Sequence, residues 1–463
     1  MQWNEFSDWG AKISQWAADY HTNLRDRPVR AQTAPGDVAA LIAPSAPEGP
    51  HPMTEIMEDF ERVVMPGITH WQHPRFFAYF PANAAPPSML AEMLVSTIAA
   101  QCMLWQTSPA ATEMETVMLD WLRQAIGLPA QFSGVIQDSA SSATLAAVLT
   151  MRERALNWQG NQAGLSGAVR LRIYCSAEVH TSVDRAIWVS GVGQDNLVRI
   201  PVAGKLRGMD PVALKAAIQA DIAAGYRPAG IIACTGGTGT GACDDLTEVV
   251  RIAKKFDLYS HIDAAWAGAG MICPEFRKLW QGVEGADSIV FNPHKWLGAQ
   301  FDCSAHFLAN PSSLVKTLAI QPEYLTTHGH DGLINYSEWS VPLGRRFRAL
   351  KLWFLLRSYG LEALRVRLRN HVAWAEDLAA KLVENPRFEI VTAPILSLFT
   401  FRIAGLDDAA QIAFVNRVND DGQIYITQTK VDEKIAIRFQ IGQFDVTEED
   451  ILFAYDVMCE LAG

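Results

Sequence analysis

Helix-like and strand-like segments alternate along the chain from about residue 84 to residue 308, and this alternation constrains the fold more than any other feature. Chains that alternate in this way form a mostly parallel sheet with helices on both faces. The predicted strands are residues 134–137, 171–175, 197–202, 230–234, 258–262 and 288–291, with 305–308 at an edge of the sheet. The predicted helices are residues 114–126, 145–155, a helix from 182, 211–224 and 245–256.

Both ends of the chain depart from this alternation. Aromatic and aliphatic residues recur near helical spacing over residues 3–20, which predicts an amphipathic first helix. Prolines at five positions within residues 33–52 predict an extended arm, and a helix is predicted at 54–64. A small C-terminal α+β domain is predicted from helices 348–359, 361–382 and 448–459 and strands 388–391, 397–403, 424–427 and 435–440.

One lysine directly follows a predicted strand. Pro293 ends the apolar run 286–291, so Lys295 lies just past a strand end, between His294 and Trp296. Semi-apolar surroundings are expected to lower the pKa of a lysine, and the neutral amine is the form that makes a Schiff base with an aldehyde. A single lysine on a loop is more often an ordinary surface residue, so this interpretation depends on neighbouring stretches.

Asp263 and His180 also follow predicted strands, where open α/β sheets place their ligand sites. A carboxylate beside the nitrogen of a pyridine cofactor keeps the ring protonated and makes it an electron sink. Ala264 and Ala265 leave room for a flat ring, and an imidazole could stack on that ring. Taken singly, the aspartate would more often be a cap or turn residue, and the histidine an ordinary hydrogen-bonded residue.

Ser139, Ala140 and Ser141 open the predicted helix 145–155. Hydroxyls and free backbone N–H groups at a helix N-terminus suit one phosphate, although a plain N-cap cluster would look the same. Asp138 places a negative charge next to this predicted phosphate site.

Together these stretches resemble the group II pyridoxal-phosphate decarboxylases of the aromatic-L-amino-acid decarboxylase type. The matching stretches, in the family's order, are residues 73–81, 107–110, 139–141, His180, 263–265, 292–297 and 342–348. The resemblance implies the type I pyridoxal-phosphate fold, with a mostly parallel seven-stranded sheet and a small α+β C-terminal domain. It implies an N-terminal helical arm (1–83) that packs on the partner subunit of a homodimer, a large cofactor-binding domain (84–347) and a small domain (348–463).

The resemblance also implies residue roles. Lys295 would carry pyridoxal phosphate, Asp263 would hold the ring nitrogen, and His180 would stack on the ring. Tyr324, in a predicted lid over residues 321–339, would protonate the substrate carbon; related aldehyde-forming oxidases have Phe there, so Tyr324 favours decarboxylation. The implied cofactor contacts are Ser139, Ala140, Ser141, His180, Thr238, Asp263, Ala265, Asn292, His294 and Lys295.

The implied substrate is a small aromatic amino acid: tryptophan, tyrosine, phenylalanine or dopa. Glycine at a position such as Gly344 tends to accompany indole or catechol substrates. This sequence departs from the family at Ala82, where threonine is usual, and at Gln101 and Met103, which replace an apolar and an aromatic residue. The predicted substrate contacts are Trp71, Tyr79, Phe80, Ala82, Gln101, Met103 and Gly344.

A nicotinamide enzyme is the strongest alternative, because residues 237–242 fit the pattern G-x-G-x-x-G/A after a predicted strand. Asp244 and Asp245 oppose it, since they would meet the pyrophosphate at the next helix. It also leaves Lys295 unexplained. A non-catalytic binding protein of the same fold would lack the site residues found in this chain. An aminotransferase would normally hold the substrate carboxylate with an arginine that no motif identifies.

Composition limits the remaining possibilities. The 463 residues can bury a large core, and the net charge of −11 argues against nucleic-acid binding or a membrane-binding patch. The seven cysteines form no C-x-x-C pair, which predicts buried free thiols in a reducing compartment. We find no run of ~18 apolar residues and no basic leader segment, so we expect a cytoplasmic protein, and we expect no metal site.

Overall fold

The protein is described by a computed structural model, which covers residues 2–320 and 333–462. Its internal contacts divide it into two compact units. The large unit comprises Ala82–Ala373 and Pro394–Leu398, and the small unit comprises Met1–Pro81, Trp374–Ala393 and Phe399–Gly463. Within the described ranges, no helix combines the length and apolarity that crossing a membrane requires.

The described residues form α-helices and β-strands, numbered in chain order. The helices are α1 Trp3–Thr22, α2 Asp37–Leu41, α3 Met53–Asp59, α4 Pro86–Ile98, α5 Pro109–Ile126, α6 Ala140–Ala155, α7 Gly160–Ala163, α8 Ser182–Val189, α9 Pro211–Ala223, α10 Leu246–Lys255, α11 Ser312–Leu318, α12 Ala349–Glu384, α13 Asp408–Asp421 and α14 Glu448–Ala462. The strands are β1 Ser133–Gln137, β2 Leu171–Ser176, β3 Leu197–Ile200, β4 Val202–Ala203, β5 Gly208–Met209, β6 Arg227–Cys234, β7 Tyr259–Asp263, β8 Ser288–Phe291, β9 Ser304–Leu308, β10 Phe388–Ile395, β11 Leu398–Ile403, β12 Thr427–Val431 and β13 Lys434–Gln440.

A seven-stranded sheet with the order β1-β9-β8-β7-β6-β2-β3 forms the centre of the large unit. Strands β3, β2, β6, β7 and β8 are parallel, and β9 is antiparallel to both of its neighbours. The predicted fold class, a mostly parallel seven-stranded α/β sheet, is confirmed. Because the parallel strands point the same way, the carboxyl ends of β2, β6, β7 and β8 lie at one edge of the sheet.

The prediction that residues 305–308 lie at an edge is wrong, because β9 lies between β1 and β8. All five residues of β9 are buried, as expected for a strand covered on both faces. The sequence also places the start of two helices too late. Helix α5 begins at Pro109, in the first-turn position that proline favours, and α6 begins directly after its N-cap residue Ser139.

Helix α6 packs on the sheet through small residues. Ala143, Ala146 and Ala147 are fully or almost fully buried. Gly230 in β6 lies so close to Met151 of this helix that an added Cβ would be 2.4 Å from the Met151 sulfur. This close approach holds the C-terminal half of α6 against the first half of β6.

The small unit contains a four-stranded sheet with the order β10-β11-β13-β12. Its core includes Phe77, Phe399 and Phe439, whose rings stack. The strand predicted at 424–427 is wrong in position, since β12 begins at Thr427. The backbone of Tyr425 instead bonds to the segment around Phe76, because Phe77 N–H donates to Tyr425 O at 2.8 Å.

Candidate active site

Lys295 lies on a short π-helical turn, Pro293–Leu297, directly after β8. Its N–H donates to Asn292 O at 2.9 Å. The turn ends at Gly298 with φ +105°, a left-handed conformation that glycine adopts without strain. Lys295 is half-buried, whereas His294 and Trp296 on either side are buried. The turn therefore presents the lysine at the carboxyl end of the parallel strands.

Side chains on both sides hold this turn. Trp296 donates its indole N–H to His371 Nδ1 at 2.9 Å. Asn83 donates its side-chain amide to Lys295 O at 2.7 Å. Asn292, a predicted cofactor contact, accepts a hydrogen bond from the Ser304 hydroxyl at 2.7 Å. These bonds join the turn to neighbouring segments of the protein, and they therefore fix the position of the Lys295 backbone.

His294, another predicted cofactor contact, is bonded within the protein. Its Nδ1 accepts from Cys303 N–H at 2.8 Å, which leaves Nε2 to carry the proton of the neutral ring. Burial, together with the charge of Lys295, lowers the pKa of His294 to about 3. The ring beside the lysine is therefore uncharged at neutral pH.

Asp263 is the last residue of β7 and is 8% exposed. One carboxylate oxygen accepts from Ala265 N–H at 3.0 Å. The backbone of Ala265 also bonds to the segment that leads to Lys295, because Asn292 N–H donates to Ala265 O at 2.8 Å. Asp263 and the segment leading to Lys295 are thus joined by the backbone of Ala265.

His180 follows β2 and is exposed. Its Nδ1 accepts from Ser182 N–H at 3.1 Å, so the neutral ring carries its proton on Nε2. Although His180 remains partly exposed, desolvation by the surrounding protein lowers its pKa. The Asp263 carboxylate raises this pKa, and the Lys295 charge lowers it further. The structure therefore places Asp263 and Lys295, two of the other predicted catalytic residues, within electrostatic reach of His180.

The predicted phosphate site lies next to this group. Ala140 and Ala143 of α6 pack against Val290 of β8 and against Ala265. This contact places the N-terminus of the helix beside the strand ends. The hydroxyl of Ser139 accepts from Ser142 N–H at 3.2 Å and caps the helix.

The loop after β6 contains Thr238, which is half-buried. At Gly236 (φ +85°) the loop passes so close to Ala267 that an added Cβ would be 2.4 Å from the Ala267 Cβ. Thr235 has a buried hydroxyl with no hydrogen-bond partner among the described residues, and its N–H donates to Asp263 O at 2.9 Å. Sequence reasoning missed Thr235; its position directly after β6 was the available signal.

This loop does not suit a pyrophosphate. Buried Asp244 accepts from Met209 N–H at 2.6 Å and from Cys234 N–H at 2.7 Å. Asp245 caps α10 by accepting from Glu248 N–H at 3.1 Å. Carboxylates hold the positions where a dinucleotide would need free N–H groups.

The predicted substrate residues belong to both units. In the small unit, Trp71 and Tyr79 stack with centroids 5.8 Å apart and remain 40% and 44% exposed, and Phe80 is buried. In the large unit, Gln101 and Gly344 line a cavity of about 430 Å³. Gln101 accepts from Arg345 N–H at 2.7 Å.

The two other predicted substrate residues of the large unit, Ala82 and Met103, are half-buried. Met103 O accepts from Ser337 N–H at 3.0 Å. Tyr324 lies outside the described residues.

Comparison with known proteins identifies the family. The model of the pyridoxal-dependent decarboxylase conserved domain matches residues 35–404. The chain belongs to this family. It is 39% identical over 478 residues to the aromatic-L-amino-acid decarboxylase of Sus scrofa, covering 100% of this chain and 97% of that protein.

Solved structures of the family are similar over the whole chain. The Catharanthus roseus tryptophan decarboxylase in complex with L-tryptophan has a TM-score of 0.94 and 33% identity, with 100% of this chain and 98% of that chain covered. The Rhodiola rosea 4-hydroxyphenylacetaldehyde synthase has a TM-score of 0.92 and 30% identity, with the same coverage.

The donor set fits pyridoxal phosphate. The Asp263 carboxylate at a strand end could hold a ring nitrogen, and the N-terminus of α6 could hold a phosphate. The Thr235 hydroxyl, which has no partner among the described residues, could bond to a further polar group. The protein is a carboxy-lyase that uses this cofactor.

Proposed function

We propose that this protein decarboxylates aromatic L-amino acids to the corresponding amines and carbon dioxide, with pyridoxal 5'-phosphate as its cofactor. The observation that carries the proposal is the shared electrostatic site of His180, Asp263 and Lys295 at the carboxyl ends of parallel strands. The bound cofactor supplies an electron sink for the bond to the departing carboxylate.

The side chains have distinct roles in this proposal. Lys295 would bind the cofactor aldehyde covalently through its ε-amine, and residues 139–141 would hold the phosphate. Asp263, whose orientation Ala265 N–H fixes, would keep the ring nitrogen protonated. The pKa of His180 is lowered from its ordinary value of 6.5. Its uncharged ring would donate a hydrogen bond from Nε2–H to the substrate carboxylate without adding a positive charge that would retain it.

Tyr324 would protonate the substrate carbon after carbon dioxide leaves, which makes an amine the product. Tyr324→Phe should therefore shift the product from amine toward aldehyde. Simultaneous assays of amine and aldehyde from one reaction test this. Undiminished amine formation by Tyr324→Phe would remove Tyr324 from the mechanism.

Aromatic side chains support the proposed substrate class. Trp71, Tyr79 and Phe80 would stack on the substrate ring, and Gly344 leaves space beside Gln101, whose amide would lie 3.3 Å from an added Cβ. Tryptophan, tyrosine, phenylalanine and dopa are the candidates, and the pig and Catharanthus relatives carry names of this class. A panel of amino acids assayed for amine release would rank them.

We also propose a cytoplasmic homodimer in which residues 1–83 pack on the second subunit. Trp3, Phe6 and Ile13 on α1 are 82%, 50% and 43% exposed, an apolar surface that a partner subunit would cover. Light scattering at micromolar concentration tests the dimer. Active monomers would contradict it.

Lys295→Ala tests the central proposal. We expect the variant to lose turnover and to lose the cofactor that borohydride reduction fixes to the peptide containing residue 295. Lys278→Ala, which removes an exposed lysine of the same unit, is the control and should retain both. Normal turnover by Lys295→Ala would refute the scheme.

A further inference from the structure

Glu178 connects three segments that are distant in sequence. It lies after β2, two residues before His180, and one of its carboxylate oxygens accepts from Arg207 Nε and Nη2 at 3.2 and 3.1 Å. The other oxygen accepts from the Thr240 hydroxyl at 3.1 Å. The side chains of Glu178 and Arg207 are only 14% and 18% exposed, so water competes weakly for these bonds.

Two of these segments hold predicted cofactor contacts. Glu178 shares its turn with His180, and Thr240 shares its loop with Thr238. Gly237 of that loop approaches Glu178 so closely that an added Cβ would be 3.0 Å from the Glu178 backbone oxygen.

The third segment is the β4–β5 turn. It is attached to the same loop, since Cys243 N–H donates to Leu206 O at 2.9 Å. The next residue, Arg207, has φ +48°, an uncommon conformation for a residue with a side chain. The bonds to Glu178 fix the guanidinium on this turn.

We propose that Glu178 is a positioning residue that fixes the His180 turn against the loop containing Thr238, so that both meet the cofactor in one geometry. The inference rests on the proposed function. Its one carboxylate bonds directly to the β4–β5 turn and to the loop that contains Thr238. A small displacement of groups around a reacting centre lowers rate and affinity even when the protein remains folded.

Glu178→Gln tests the role with little change in volume. Its amide retains one acceptor oxygen but loses the charge that attracts Arg207. We expect the dissociation constant of pyridoxal phosphate from the apoprotein to rise about tenfold, the loss typical of a weakened charge-assisted bond. The visible circular dichroism of the bound cofactor should also change, and hydrogen exchange should accelerate in residues 176–182 and 235–243.

Asp221→Asn is a matched control in the same unit. Asp221 accepts from Arg172 Nε at 3.2 Å and from the Tyr174 hydroxyl at 2.9 Å, and its side chain is 16% exposed. The donor types and burial therefore match those of Glu178. Because Asp221 bonds to neither cofactor loop, Asp221→Asn should leave cofactor affinity and circular dichroism unchanged.

The outcomes separate the two proposals. Weaker binding and altered circular dichroism in Glu178→Gln alone would support the positioning role, and equal values in the two variants would overturn it. Should Glu178→Gln fail to fold, Thr240→Val removes only one of the bonds and is expected to weaken binding about threefold; unchanged binding there would overturn the role. Wild-type protein that binds no pyridoxal phosphate would instead overturn the proposed function.

Discussion

His294→Asn should make the protein less sensitive to acid. In the native protein Nδ1 of His294 accepts from Cys303 N–H, and the pKa of the buried ring is about 3 because of its burial and the charge of Lys295. An asparagine side-chain oxygen can accept the same N–H, but it does not titrate. The variant therefore removes the charge change while it retains the hydrogen bond.

The magnitude follows from the difference between the native pKa, about 3, and the ordinary value of 6.5. Because the native pKa is the lower one, the unfolded chain binds the proton more readily, and stability falls as the pH drops from 6.5 toward 3. At pH 5 this costs the wild type about 2 kcal/mol relative to pH 7, at 1.36 kcal/mol per pKa unit. The loss of the ring contact with Phe301, at 4.7 Å, is a further cost that does not depend on pH.

Thermal unfolding of both proteins between pH 5 and pH 7.5 measures this difference. The midpoint of His294→Asn, relative to wild type, should rise by a few degrees on going from pH 7 to pH 5. His51→Asn, at an exposed position, controls for the substitution itself. A constant gap between wild type and His294→Asn across the pH range would show that the ring beside Lys295 does not remain neutral in the native protein.

Two further substitutions test the packing around the site. Gly236→Ala should lower the thermal midpoint and the cofactor affinity. The added Cβ would be 2.4 Å from the Ala267 Cβ and the backbone φ is +85°, and the two effects together cost roughly 1–3 kcal/mol. An unchanged midpoint would contradict this packing. His306→Phe should raise the free energy of unfolding at pH 7 by about 1 kcal/mol. The reason is that neither nitrogen of the buried ring has a hydrogen-bond partner among residues 2–320 and 333–462. A lower thermal midpoint would indicate that the ring has a partner.

The sequence predicts the strands better than their order. Each strand of the large sheet is a short apolar run, so its existence is a local property that the sequence records. The place of β9 between β1 and β8 depends on pairing between distant segments, which a single apolar run does not encode. Tyr425 shows the same limit, since its backbone pairs with residues around Phe76 instead of extending β12.

The site residues that the sequence predicts have a local signal, whereas those that it does not predict depend on contacts between distant segments. Asp263 ends one strand and Lys295 lies just past the end of the next, and the geometry of a parallel sheet brings such ends together. Glu178 acts through Arg207 and Thr240, which are 29 and 62 positions away, so only the folded chain reveals its contacts.

The two imidazoles near Lys295 also determine the charge of the site. Desolvation disfavours the charged form of the partly exposed His180 and of the buried His294, and Lys295 adds to this effect in each. Among the described residues, neither of these two imidazoles therefore adds a positive charge beside Lys295 at neutral pH. The N-terminus of α6, where the helix dipole is positive, would then help to balance the charge of a phosphate.

The hydrogen bonds of Asp138 and Ser139 limit which groups at the N-terminus of α6 can bind the phosphate. Its carboxylate accepts from the Ser139 hydroxyl at 2.8 Å and lies close enough to Arg348 for electrostatic attraction, which offsets its repulsion of a phosphate. The Ser139 hydroxyl also accepts from Ser142 N–H, so its donor and one acceptor position are already used. We therefore expect that Ser139 does not hold the phosphate. The groups expected to hold it are the N–H groups of Ala140 and Ser141 and the exposed Ser141 hydroxyl.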